Sequence, residues 1–297
     1  VFLLKHDNMK TTDSTISHST LETLMFLSDE PDNSLFDIIA EAIISYGENA
    51  LPFLRKKIEL TEDSFCHERL ESLVCIIERR DVEEKLRVWR EKREYDLMEP
   101  YFVLSKYRFP NADWACTGFQ MMMLIEQAER EIKKSLTPLE QVKILNHIIY
   151  DVNKFRGDTV AINNPNYYYV NNLFEKHIGN PLSLGMLYCI VAERIGIPIY
   201  GIDLPNHFIL AFCKETERFP QLEDVLFYIN PYNKGVVLTR KDIRNYLNEI
   251  NVCSKLKYFE PTRNSLIVKK LFNTLIETYS MSGKNNEANE MRELMNY

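Results

Sequence analysis

The sequence has no C-x-x-C pair, no apolar run long enough to span a bilayer and no surplus of positive charge, and each absence closes off a class of function. Its six cysteines (Cys66, Cys75, Cys116, Cys189, Cys213 and Cys253) lie scattered through 297 residues. A chain of that length buries a sizeable core without disulfide staples, so they read as reduced thiols of a cytoplasmic protein. The opening Val1-Phe2-Leu3-Leu4 meets Lys5, His6 and Asp7 at once, too soon for a signal peptide. Nothing else approaches the roughly 20 apolar residues that cross a membrane. Residues 1–19, rich in Ser and Thr, are expected to form a solvated, disordered tail, with Met9 as a candidate start. The 36 basic against 43 acidic residues leave a net charge of -7, the wrong sign for a protein that binds by neutralising phosphates. Neither nucleic acid nor a membrane is expected as a partner.

What is present is helical periodicity. Leu35, Ile38, Ile39, Ala42 and Ile43 recur at helical spacing, as do Leu70, Leu73, Val74 and Ile77. Helix starts are expected at Ser34 with Asp37, at Thr61 with Ser64 and at Asp81 with Glu84, the last in capping-box spacing. The run Tyr46-Gly47-Glu48-Asn49-Ala50-Leu51-Pro52-Phe53-Leu54 resembles the turn and second-helix opening of a HEAT-like pair, so residues 20–108 are expected to be a helical region. Another helical stretch begins near Asp113. Thr137-Pro138-Leu139-Glu140 opens a further helix, with Pro in its first turn and Glu at its third position. Residues 156–180, rich in Gly, Asn and Tyr, favour turns and a short helical piece.

Leu182 to Ile195 is almost continuously apolar, with Glu193 and Arg194 gathered at its end before Gly196. A segment apolar all round is a buried central helix, and Gly196 is its left-handed cap. The period then falls to two, through Ile197 and Ile199, His207 to Phe212 and Val225 to Ile229, which predicts strands of a small antiparallel sheet. Thr239 with Asp242 caps a further helix. From Asn264 two helices flank Ser282-Gly283-Lys284, like one terminal tetratricopeptide-type pair.

Four short motifs stand in this part of the chain: Gly179-Asn180-Pro181-Leu182-Ser183-Leu184, Gly196-Ile197-Pro198, Leu204-Pro205-Asn206-His207-Phe208 and Ile229-Asn230-Pro231-Tyr232-Asn233. As a set they resemble the SirB-type branch of the transglutaminase-like proteins, over about residues 100–250. The resemblance implies an α+β, mostly helical fold. A papain-like core with a small antiparallel sheet (109–250) would follow the helical region and precede a C-terminal helix pair (251–297). It also implies that a buried helix and two strands supply Cys, His and Asp. In active cores Gly-x-Cys opens the central helix and Gly-Ile-Pro comes fifteen residues after the Cys. Counting back fifteen from Gly196 lands on Pro181, which has no group to acylate, a replacement the SirB-type branch generally shares. Asn230 stands where that branch usually keeps Asp. Of the three remnant positions, Pro181, His207 and Asn230, only His207 keeps its chemistry.

Each of these residues also has a structural reading. Asn180 is among the best N-caps and Pro181 suits a first helical turn. Ser183 is the alternative nucleophile, but two residues along a helix rotate a side chain by about 200°, away from whatever position 181 faces. Cys189, about 12 Å further along the helix, reads as a small buried hydrophobe. Asn230 can hold the tautomer of His207 but gives its imidazolium no charge stabilisation. His147 and His177 stand at no ligand spacing to His207, so no metal is expected, and no cofactor. Asn166, Tyr167, Tyr168 and Tyr169, with Asn180 and Asn206, are candidates to line a groove, because Tyr and Asn suit an extended polypeptide.

The function expected from these residues is that of a pseudoenzyme: a non-catalytic module that binds a peptide or protein as a scaffold or regulator. The alternative is a hydrolase or acyltransferase with an unconventional nucleophile, Ser183 or a cysteine such as Cys116, and His207 as base. With proline at the thiol's position, the purified protein is expected to show no thiol-dependent transamidation. Labelling by a glutamine donor that disappears on alkylation would contradict this.

Overall fold

The computed structural model describes residues 10–92, 96–133 and 135–296, so residues 1–9 of the expected tail, Met9 included, lie outside the described residues. The chain divides into two compact units, Val1–Lys85 and Leu86–Tyr297.

The first unit holds α1 (Lys10–Leu27), α2 (Asn33–Ser45), α3 (Leu51–Leu60) and most of α4 (Ser64–Glu91). Residues 10–19, expected in the tail, form the front of α1. No Gly or Pro interrupts the chain there, and a helix anchored by buried Leu21 and Met25 extends backwards at one hydrogen bond per residue. The cap of α2 is Asp32, whose carboxylate accepts the Ser34 and Leu35 N–H groups at 2.8 and 3.2 Å. At the head of α4 Asp63, not Thr61, accepts the Cys66 N–H at 2.9 Å. Asp81 starts no helix: α4 runs through it, and its carboxylate binds Lys85 one turn on at 2.7 Å. Leu21, Ile43, Leu54, Leu70 and Ile77 meet in this unit's core.

The second unit opens with α5 (Met98–Arg108), α6 (Trp114–Glu131) and α7 (Pro138–Asn146), which continues as a π-helical stretch, His147–Val152. The boundary expected after residue 108 lies earlier because α5 belongs to the core. Its Tyr101 and Leu104 are buried, and Ser105 Oγ accepts the Val170 N–H at 3.0 Å. Thr137 and Glu140 form a reciprocal capping box on α7. A short parallel pair, β1 (Arg156–Gly157) with β2 (Ile178–Gly179), brackets α8 (Val170–Lys176). Then comes α9 (Pro181–Arg194), buried from Leu182 to Ala192 and closed by Gly196 at φ +72°.

The antiparallel strands β3 (Ile199–Leu204), β4 (His207–Cys213), β5 (Val225–Asn230) and β6 (Val236–Leu238) follow one another across one sheet. Side-chain alternation gives it two buried faces. Ile202, Ile209, Ala211 and Tyr228 pack with Ile243 and Leu247 of α10 (Arg240–Glu249). Phe208 points the other way, against Gly185 of α9 and Gly201 of β3, where an added Cβ would stand 2.3 and 2.4 Å from its ring atoms. At three and two residues, β6 and the β1–β2 pair are too short to show a period in the sequence. The chain closes with α11 (Asn264–Met281) and α12 (Asn285–Asn296), turned by Gly283 at φ +74° and tied to α5 by Tyr107–Glu290 and Arg108–Glu287 contacts.

Gly185→Ala is expected to cost about 1–3 kcal/mol through overpacking against Phe208, read as a lower urea midpoint. Gly118→Ala, where the new Cβ would meet nothing within 4 Å, is the control and is expected to hold or raise the midpoint. Equal midpoints for the two variants would contradict the close approach.

Candidate functional site

The head of α9 is built as a cap. Asn180 Oδ1 accepts the Ser183 N–H at 2.9 Å, and Ser183 Oγ accepts the Asn180 N–H at 3.0 Å. The same hydroxyl donates to the Asn180 carbonyl at 3.4 Å, and both residues are fully buried. Asn180 Nδ2 donates to the Ala161 and Tyr167 carbonyls, each at 3.4 Å. The Ser183 hydroxyl is therefore occupied on Asn180 and has no bond to His207 among the described residues. Cys189 is buried, which pushes its thiol well above the usual range. Cys116 is exposed in the first turn of α6, its N–H capped by Asp113 at 2.8 Å.

His207 follows the two-residue turn Pro205-Asn206, in which Asn206 takes the left-handed φ of +56°. Two helices fix that turn: Lys270 Nζ donates to the Leu204 carbonyl at 3.1 Å, and the Tyr246 hydroxyl to the Pro205 carbonyl at 2.7 Å. The half-buried imidazole lies 5.7 Å, centroid to centroid, from Tyr246 and 6.3 Å from an edge-on Tyr232. Its nitrogens have no hydrogen-bond partner among the described residues. Burial lowers its pKa to about 4, and the positive charge of Lys270 pushes the same way. His207 is thus neutral at neutral pH, with one nitrogen a donor and the other an acceptor.

Asn230 does not bond to His207, contrary to expectation. The pairing Leu210↔Ile229, continued three residues along each strand, brings position 232 opposite His207. Asn230 Oδ1 instead accepts the N–H groups of Tyr232 and Asn233, at 3.1 and 3.2 Å, in an Asx turn. The rest of that hairpin is gripped from outside the sheet. Tyr150 donates to the Pro231 carbonyl at 2.8 Å, Asn146 Nδ2 to the Gly235 carbonyl at 2.9 Å and Tyr188 to Asn146 Oδ1 at 3.1 Å. Alternation sets His207 on the side of Ile209 and Ala211, toward α10. Phe208 and Pro231 meet α9 at Gly185, one turn along from Pro181. Of the three remnant positions, Pro181 thus stands in the capped turn of α9, His207 beside Tyr232 and Tyr246, and Asn230 in its own Asx turn.

Half of the groove candidates belong to the core. Besides Asn180, Tyr168 is buried with its hydroxyl on the Ile162 carbonyl at 2.8 Å. Tyr169 is fully buried, bonded to the Tyr279 hydroxyl at 2.8 Å and edge-on to Phe109. Asn166 and Tyr167 are half-buried, the Tyr167 ring lying 5.2 Å from the Lys176 ammonium, and Asn206 is exposed. Sequence reasoning missed Tyr232, Tyr246 and Lys270. Strand register could have found Tyr232, but Lys270 arrives from α11 with no local signal. Among the described residues no group of three or more His, Cys, Asp or Glu gathers to hold a metal, and no helix is long and apolar enough to cross a membrane.

Comparison with known proteins bears on residues 119–273, which match the family model described as the transglutaminase-like superfamily. A UPF0162 protein of Xylella fastidiosa is 27% identical over 149 residues, 50% of this chain and 50% of that protein. Protein SirB1 of Salmonella typhimurium is 24% identical over 160 residues, 52% of this chain and 56% of that one. F-box only protein 21 of Mus musculus is 31% identical over 98 residues, 33% of this chain and 16% of its own length. The chain spans about half the length of the UPF0162 protein it matches. No solved structure matches it.

The depressed pKa of His207 makes stability pH-dependent with a definite sign. The unfolded imidazole, with its ordinary pKa of about 6.5, binds the extra proton between pH 6.5 and 4. Its contribution is therefore complete above 6.5 and lost as pH falls toward 4. His207→Gln is expected to flatten the stability profile in that window by up to one proton. Lys270→Met, by removing a positive charge, is expected to raise the imidazole pKa seen by NMR titration; a fall or no change would contradict the assigned cause.

Proposed function

The chain belongs to the transglutaminase-like superfamily, on its SirB-type branch, and from that premise we propose that it acts without covalent catalysis, binding a peptide or protein at the face that carries His207. The observation that carries this reading is the unpartnered, neutral imidazole of His207 between two tyrosine rings. It offers one donor and one acceptor, the pair that a peptide group also has, so an extended segment can satisfy both. Tyr232 and Tyr246 add aromatic contact area, and the exposed Asn206 amide stands beside them on a turn already held rigid. Pro181 supports a non-covalent role, since it puts no nucleophile at the head of α9. The bonded state of Ser183 supports it too. A scaffold or regulatory task in the cytoplasm is part of the same proposal.

The test is selection from a displayed random peptide library on the immobilised protein. His207→Phe keeps the ring area and removes both polar atoms, and is expected to weaken the enriched peptides about tenfold or more with the urea midpoint kept. Treatment with fluorophosphonate and iodoacetamide probes is expected to leave no His207-dependent adduct. An acyl adduct on Ser183 or Cys116 that disappears in His207→Phe would replace this reading with a hydrolase or acyltransferase.

A further inference from the structure

The first unit carries a cleft of about 640 Å³ between α1 and α3 that the proposed function does not use. Leu21 and Met25 from α1 and Phe53 and Leu60 from α3 make it apolar. Two of its charged lining residues are satisfied within the unit: Glu48 binds Lys85 at 2.9 Å and Lys57 binds Asp29 at 2.5 Å. Glu22 on the α1 wall and Lys56 on the α3 wall are exposed and have no partner among the described residues.

The two walls repeat one pattern with opposite charge. One turn beyond Glu22, Phe26 projects with 80% of its surface exposed, and one turn beyond Lys56, Leu60 is 72% exposed. Large apolar side chains that open beside an apolar cleft lower their free energy when covered. A two-fold rotation about an axis running along the cleft lays the α1 wall of one copy over the α3 wall of the other. In that arrangement the Glu22 wall of each copy would lie over the Lys56 wall of the other, and the exposed Phe26 and Leu60 would be covered. Self-complementarity is the requirement of an isologous interface, and an unrelated partner has no reason to need one acidic and one basic wall in matching positions.

We infer that this cleft is closed by a second copy of the same chain, α1 of each copy lying on α3 of the other. Sedimentation velocity of the full chain is expected to show a monomer–dimer equilibrium that responds to concentration. Glu22→Lys and Lys56→Glu are each expected to weaken the dimer about tenfold, because each sets like charges face to face. Mixing the two single variants is expected to restore association, since every contact across the interface is then between opposite charges. Phe26→Ser with Leu60→Ser is expected to give a monomer, with helical circular dichroism showing that the fold is kept. A chain monomeric at every concentration overturns the inference. So does a dimer indifferent to these substitutions, or a mixture that associates no better than either variant alone.

Discussion

The close contact of α9 with β4 is the constraint on which the second unit depends. A helix buried from Leu182 to Ala192 can lie on the sheet only where its surface is recessed, and the recess is Gly185, opposite the fully buried Phe208 ring. Gly201 makes the matching gap on β3. With the ring held between two glycines, α9 and the sheet have one relative position, because a packed interior tolerates few displacements. Pro231 comes to Gly185 as well, so the same contact locates the turn after β5.

That position gives the head of α9 a structural task that competes with chemistry. The N-terminus of a helix leaves N–H groups unsatisfied and favours negative charge, which lowers the pKa of a thiol placed there. Here Asn180 and Ser183 satisfy two of those donors between them, and Pro181 brings none. A group occupied in this way is stable, desolvated and unreactive. His207 keeps its ring nitrogens free of partners among the described residues, on a turn that Tyr246 and Lys270 hold through the Pro205 and Leu204 carbonyls.

His207 shows how one environment removes one role and leaves another. Burial and the nearby ammonium of Lys270 keep its ring neutral, so it is a poor proton acceptor at neutral pH. Neutrality is also what gives the ring a donor and an acceptor together. Asn230, which a triad would require beside it, is committed to its own hairpin through the N–H groups of Tyr232 and Asn233. Tyr232 takes the facing place because register, which is set by pairing along the whole strand, outranks the order of residues in a short motif.

Local patterns determined a large part of this protein. The apolar run closed by Gly196, the period-two strands and the Thr137–Glu140 and Thr239–Asp242 boxes are interactions between residues a few positions apart, and the structure contains each. The same local logic misplaced the caps at Ser34 and Asp81, where a neighbouring Asp32 and an uninterrupted helix were equally compatible with the residues. It also placed Tyr168 and Tyr169 in a groove, since Tyr suits a binding face and a core alike until its hydroxyl partner is known. Two neighbours of His207, Tyr246 and Lys270, were decided by tertiary structure alone. Tyr246 and Lys270 come from helices far along the chain, and which side chains meet across such distances depends on strand register and helix packing, which sequence spacing does not encode.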